Sequence, residues 1–316
     1  MEMAFVICYV NTMELRHIRY FLAVAEEGNF TRAAAKLGIG QPPLSIQIRD
    51  LEAEVGTQLF HRLSHGAELT EAGQAFWDAV HTMPAQANTA IRAAQRASRG
   101  ETGRLRLGFT GTAALSPIVS ATIRAFHRSY PEVELTLEEA NSVALTAGLI
   151  EGRLDAAILR PNSADPPEIR EYLLKREPLV AVLPVAHPVT AGSDVELASL
   201  STMPLIVTPR EIGVSLHEAA IAACRSAGFE PLLGQFAPQI ASILSLVSAE
   251  LGFSLVPASM AQFNVMGVAF LTLRDEQPTV DLAVAHLKTR PSQSALNFTR
   301  VARSLRSGDG EGEGLS

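Results

Sequence analysis

The 316-residue chain is poor in cysteine, in long apolar runs and in surplus positive charge, and each shortage removes a class of protein. Its two cysteines, Cys8 and Cys224, stand far apart and provide neither a disulfide framework nor a thiolate metal site. The one apolar run near the start, residues 3–10, is too short to span a bilayer. It also lacks the basic flank and small-residue cleavage site of a secretory signal. A cytoplasmic chain with no membrane partner is therefore expected. The net charge is −7, with no basic excess to attract a polyanion. Its distribution matters more: residues 13–100 hold nine Lys/Arg and nine Asp/Glu, and residues 101–316 hold seventeen and twenty-three. A neutral N-terminal part still meets phosphate well if its basic groups gather on one face and helix starts add donors.

Catalytic signatures are missing too. Gly213-Val214-Ser215-Leu216-His217 lacks the final glycine of a nucleophile elbow, and His217-Glu218 has no second histidine four residues on. There is no phosphate loop of the Walker kind and no dinucleotide glycine fingerprint. The eight histidines (17, 61, 65, 81, 127, 187, 217 and 286) are dispersed, so neither a metal nor a cofactor is expected. At this length, with 47% hydrophobic and 19% charged residues, the chain is globular and holds more than one domain.

What is present starts with a helical stripe, Leu15, Ile18, Phe21, Leu22 and Ala25, broken by Gly28-Asn29. Thr31 is placed to cap a short helix over 32–37, and Gly38 to stop it. A third helix opens at Gln41-Pro42-Pro43, where proline is tolerated, and turns Leu44, Ile48, Leu51 and Val55 inward. Two short helices joined by a glycine turn on a longer first helix make a helix-turn-helix. The face left outside shows Gln41, Pro42, Ser45, Ile46 and Arg49. Such a pattern fits either a plain helical bundle or a DNA reader, whose second helix enters the major groove. Leu59-Phe60-His61-Arg62, the turn Ser64-His65-Gly66 and Ala67-Glu68-Leu69-Thr70 then read as a two-stranded wing, with Arg62 near a phosphate. His61 and His65 are either phosphate contacts or simply solvated. Thr70 caps the next helix.

Met13-Glu14-Leu15-Arg16-His17-Ile18-Arg19-Tyr20-Phe21, Asn29-Phe30-Thr31-Arg32-Ala33-Ala34, Gln41-Pro42-Pro43-Leu44-Ser45, Leu59-Phe60-His61-Arg62 and Leu69-Thr70-Glu71-Ala72-Gly73 together resemble the LysR family of transcription regulators. The match in order and spacing runs over about sixty residues, a far more specific signal than a lone turn. The resemblance implies a winged helix-turn-helix over 13–70, with Thr31, Arg32, Gln41, Pro42, Pro43, Ser45, Ile46, Arg49 and Arg62 on the DNA. Residues 1–12 are then an extension outside the fold. The chain departs from the family pattern at Ile46, where many relatives carry arginine, and in the wing, where relatives are more basic. Both departures imply less direct base reading and more use of helix-terminus contacts, or a different operator.

A linker helix over 71–99 follows. Its seam of Ala72, Phe76, Ala79, Met83, Ala87, Ala90 and Ala94 packs either on its own chain or, as the family implies, on a second copy. Phe76, Ala79, Met83, Ala87 and Ala90 are the dimerisation candidates, and Pro84 should bend or interrupt the helix. Residues 98–103 form the expected hinge.

Beyond it, strands at 105–109, 133–139 and 156–159 alternate with helices from Ser116-Pro117 and over 143–151, which implies a parallel sheet. A second set comprises strands at 179–183, 205–207 and 253–256 and helices at 215–227 and 240–250; strands at 268–273 and 282–286 and a last helix return to the first set. This resembles the two-lobed, periplasmic-binding-protein-like (type II) α/β effector domain of the family. Residues 104–302 are assigned to it, lobe I as 104–162 and 266–302, lobe II as 163–265, with a disordered tail at 303–316. Ligands of open α/β sheets lie beyond the strand C-termini. That geometry, with a likeness to regulators that sense aromatic acids and muconate, selects Thr110, Thr112, Ser142, Arg160, Thr208, Pro209 and Arg210 as effector contacts. For Arg160 a structural ion pair is the alternative; for the threonines and Ser142, helix capping. The family implies a dimer of dimers on promoter DNA, a small-molecule effector, expected to be an organic or aromatic acid, and an effect on RNA polymerase. An enzyme or a transporter's solute receptor is the rival reading of the α/β lobes.

Overall fold

The computed structural model describes residues 13–63, 66–263, 265–274 and 277–308. The expected extension at 1–12, the wing tip Ser64-His65 and residues 309–316 of the tail lie outside them. The chain divides into two compact units between Gln95 and Arg96.

The first unit begins with α1 (Leu15–Glu27), α2 (Phe30–Leu37) and α3 (Gln41–Val55). Gly28 and Gly38 take the left-handed conformation that ends α1 and α2. The cap of α2 is Asn29 rather than Thr31: its side-chain oxygen accepts from the Thr31 and Arg32 amides at 2.9 and 3.1 Å. The helix thus starts at Phe30, whose ring meets Phe60 edge-on at 5.9 Å. Leu44, Ile48 and Leu51 of α3 are fully buried, each contributing about 1.5–3 kcal/mol of apolar burial. Val55, expected to face inward, is instead exposed, in the last turn of the helix before Gly56.

The wing is β1 (Phe60–Leu63) paired antiparallel with β2 (Gly66–Leu69). Phe21 joins wing and linker, with ring centroids 5.1 Å from Phe60 and 4.9 Å from Phe76. The linker is two helices, α4 (Glu71–Val80) and α5 (Met83–Ser98). The interruption falls at His81-Thr82, so Pro84 lies in the first turn of α5, where its missing N–H has no partner to lose.

The second unit holds β3 (Thr102–Phe109), α6 (Gly111–Ala114), α7 (Pro117–Ser129), β4 (Glu132–Glu139), α8 (Ser142–Ile150), β5 (Ala156–Leu159) and β6 (Ile169–Pro184). These are followed by β7 (Asp194–Val195), β8 (Leu205–Val207), α9 (Val214–Ser226), β9 (Leu233–Phe236), α10 (Ile240–Ser248), β10 (Ser254–Pro257), β11 (Val268–Leu273), β12 (Thr279–Leu287) and α11 (Gln293–Gly308). The sheet order is β4-β3-β5-β12-β6-β11-β7, with β10 also on β6 and β3 parallel to both its neighbours. The sixteen-residue β6 belongs to both lobes: residues 169–178 pair with β12, and 179–184 pair with β10 and β11.

Three expectations are corrected here. Lobe II does not start at 163, since the first half of β6 completes the lobe I sheet, and β11 stays in lobe II instead of returning at 266. The stretch expected as a loose hinge at 98–103 is tied down: Asn297 donates to the Arg99 carbonyl at 2.8 Å, Gly100 is buried, and β3 has begun by Thr102. Disorder does not begin at 303, because α11 continues to Gly308, with the Arg303 guanidinium 4.8 Å from the Tyr172 ring centre and Arg306 donating to the Leu173 carbonyl at 3.0 Å.

Gly73 sets how closely α4 approaches the wing, for a Cβ there would drive into the Leu59 carbonyl oxygen. Gly73→Ala should therefore destabilise the first unit by about 2 kcal/mol or more. Urea unfolding followed by Trp77 fluorescence measures this, and an unchanged midpoint would contradict it.

Candidate functional site

Two regions gather the residues singled out above. In the first unit, Gln41, Pro42, Pro43, Ile46 and Arg49 all lie exposed on one end and face of α3. Ser45 does not join them: it is only 8% exposed, and its hydroxyl accepts from the Gln41 amide at 2.8 Å. The reason is helical phase, since Ser45 lies between the inward Leu44 and Ile48. Arg49 Nε reaches back to the Ser45 carbonyl at 3.3 Å. Thr31 and Arg32 are exposed at the start of α2, and Arg32 donates to the Glu27 carbonyl. Arg62 extends from β1 over the Phe30 ring, 5.1 Å from its centre, with Glu52 at 4.0 Å. One contact was not anticipated: His17 Nε2 meets the Gln47 side-chain oxygen Oε1 at 3.1 Å, fastening α1 to α3.

Of the linker seam, Phe76 packs into its own unit's core, whereas Ala79, Met83 and Ala90 are exposed and Ala87 is partly so. α5 buries none of its residues.

In the second unit a cavity of about 720 Å³ is lined from both lobes. Thr110, Thr112, Ser142, Arg160 and Thr208 line it, as expected positions beyond strand ends; Pro209 and Arg210 do not. Arg210 turns outward, paired with Glu218 at 2.7 Å. The wall also includes Asn141, Ser215, Gln239 and Ser254. Asn141 was legible as a polar residue ahead of a helix, and it caps α8 by accepting from the Ala144 amide at 2.9 Å. Nothing local marked Ser254, which is buried in a strand.

Arg160 is 2% exposed. Its Nε donates to Thr112 Oγ1 at 3.1 Å and its Nη2 to Glu177 Oε2 at 2.9 Å, while Nη1 is buried with no partner. The other Glu177 oxygen accepts from the Ser259 amide at 2.9 Å. Burial alone would raise the Glu177 carboxyl, but the Arg160 charge and the hydrogen bonds from Ser259 and Arg160 hold it below its ordinary range. Burial lowers the Arg160 pKa from so high a value that the guanidinium stays charged. Ser215 of α9 donates across to the Pro161 carbonyl at 2.5 Å. His217, buried beside it, donates from Nδ1 to the Thr208 carbonyl at 2.8 Å, a structural role. Among the described residues, no group of three or more His, Cys, Asp or Glu could hold a metal ion. None of the described helices is long and apolar enough to cross a membrane.

Because Arg160 and Glu177 compensate each other out of water, Glu177→Ala should cost about 3–5 kcal/mol in urea unfolding, and replacing both by methionine should recover most of it. Equal stability of wild type and Glu177→Ala would refute the pairing. On the same strand, burial and the neighbouring Asp165 push Glu171 up to about 7. Between the ordinary glutamate range and that value the folded chain keeps a proton that the unfolded chain has released, so stability falls as pH rises. Glu171→Gln should flatten this fall, worth about 1 kcal/mol once solvent screening is allowed for. Thermal melts across pH 5 to 8 (about that range suffices) check it, and parallel curves for the two proteins would contradict it.

Comparison with known proteins places both regions. Residues 15–74 match the family model "Bacterial regulatory helix-turn-helix protein, lysR family", and residues 98–305 match "LysR substrate binding domain". The chain is 37% identical over 289 residues to the HTH-type transcriptional regulator BudR of Raoultella terrigena, covering 92% of this chain and all of that one. Among solved structures it is similar to CbnR, a LysR family transcriptional regulator, with a TM-score of 0.75 and 28% identity over 92% of this chain and 100% of that one. Full-length CbnR in complex with its target DNA matches with a TM-score of 0.74 and 28% identity, over 93% of this chain and 100% of that one. With its helix-turn-helix and its two-lobed unit each matched along their length, this chain belongs to the LysR family of DNA-binding transcriptional regulators.

Proposed function

We propose that this regulator reads promoter DNA with the exposed face of α3 and is controlled by a small organic acid held in the cavity between its two lobes. The observation that carries the effector reading is Arg160, a buried cation among the cavity-lining residues whose Nη1 has no hydrogen-bond partner among the described residues. A buried cationic donor left unmatched is costly, and a carboxylate is the small group best shaped to satisfy it. Thr110, Thr112 and Ser142 lie on the same wall and supply hydroxyls for the rest of the molecule. The neighbouring apolar side chains, among them Leu115, Ile212 and Phe263, favour an acid with an apolar body, aromatic or aliphatic.

On the DNA side, Arg49, Arg32 and Arg62 provide exposed cations, and the leading end of α3 provides the base-facing surface. Pairing of copies is assigned to α5, which leaves Ala90 and Ile91 exposed and Ala87 partly so, rather than to Phe76. Two such pairs would hold a two-fold operator. Effector binding then changes the angle between lobes, the spacing of the heads and the access of RNA polymerase, all in the cytoplasm.

Fluorescence anisotropy with DNA from upstream of the protein's own gene tests the DNA reading. Tight, salt-sensitive binding is expected, and Arg49→Ala should weaken it about tenfold or more. Absence of binding by the wild type, or an unchanged affinity in Arg49→Ala, would count against it.

A further inference from the structure

The leading end of α3 has few hydrogen-bonding groups left to offer. A helix start normally leaves four backbone N–H groups free, but here two of those positions are Pro42 and Pro43, which have none. The helix-terminus contacts expected to replace direct base reading are thus halved at this helix. The polar side chains also spend part of their hydrogen-bonding capacity within the protein. The Gln41 amide donates to Ser45 at 2.8 Å, and Ser45 itself lies beneath the surface. Gln47 is held by His17 at 3.1 Å and by Asp50 at 3.4 Å. Arg49 Nε is turned back to the Ser45 carbonyl at 3.3 Å. The apolar groups turned outward in the first two turns, beside the exposed Gln41, are Pro42, Pro43 and Ile46, the last 48% exposed.

The major-groove edges of the four base pairs carry one kind of apolar group, the 5-methyl of thymine. We infer that Ile46 reads thymine by packing on that methyl, so that each operator half-site carries a thymine facing Ile46 and is recognised there by shape rather than by a hydrogen bond. The inference rests on α3 being the base-facing helix proposed above. It commits to a chemical signature, because deoxyuridine keeps every hydrogen-bonding group of thymidine and lacks only the methyl.

The test uses the full-length protein and its footprinted operator, with each protected thymine replaced in turn by deoxyuridine. For the wild type, one position in each half-site should weaken binding about three- to fivefold, the worth of one buried methyl. For Ile46→Ala, an exposed substitution whose folding is checked by an unchanged thermal midpoint, the same replacement should cost nothing further, closing a double-mutant cycle. Indifference of the wild type to uracil at every position would overturn the inference while leaving DNA binding intact. So would an equal loss in Ile46→Ala. Failure of the wild type to bind any DNA would overturn the α3 reading and this inference together.

Discussion

Glu177 is the interaction on which the effector-binding unit depends. It sits where β6 leaves one lobe and enters the other, and each of its oxygens belongs to a different lobe: one takes Arg160 beyond β5, the other takes the Ser259 amide after β10. In the protein interior these bonds are strong, and their loss would strand a charge. The same contacts fix Arg160. With Nε on Thr112 and Nη2 on Glu177, the guanidinium is held at two of its three nitrogens, and Nη1 is buried without a partner among the described residues. On the proposed reading, a ligand that reached Nη1 would alter the environment of Glu177, and through it the junction between the lobes. The Ser215 contact to the Pro161 carbonyl gives a second tie across the cleft, close to the first.

The DNA-binding unit is organised by apolar packing. Phe21 stands between Phe60 of the wing and Phe76 of α4, and the fully buried Leu44, Ile48 and Leu51 lock α3 against that core. Small residues make the approach possible: Ala33 and Ala34 are buried where α2 passes α1 and α3, and Gly73 lets α4 lie on the Leu59 carbonyl. The outcome is a rigid rod whose outward end is preset before DNA arrives, which suits recognition by shape and limits the entropy lost on binding.

Periodicity makes the helices and most strands readable in the sequence. The inward stripe of α3, the capping Thr70, and the β-α-β-α-β run from Thr102 to Leu159 all follow from side-chain pattern alone. Three kinds of feature escaped. Ser45 is not legible because it borders the buried stripe of α3, where a small polar residue tolerates either burial or exposure, and in the fold it is buried with its hydroxyl satisfied by the Gln41 side chain. The lobe boundary is not legible because β6 reads as one polar half and one apolar half, when it is a single strand whose halves serve the two lobes. Arg160 was legible as a cavity residue at a strand end, but its partner Glu177 lies seventeen residues on, and no local spacing announces that pair.

The most direct measurement is calorimetric titration of the full-length protein with a panel of small carboxylic acids, run in parallel on the Arg160→Met/Glu177→Met protein. The account predicts that at least one acid binds the wild type and is not detectably bound by the double variant, both being folded. Equal affinity of the two proteins for every acid that binds would contradict the claim that the Arg160 guanidinium, held by Glu177, receives the effector.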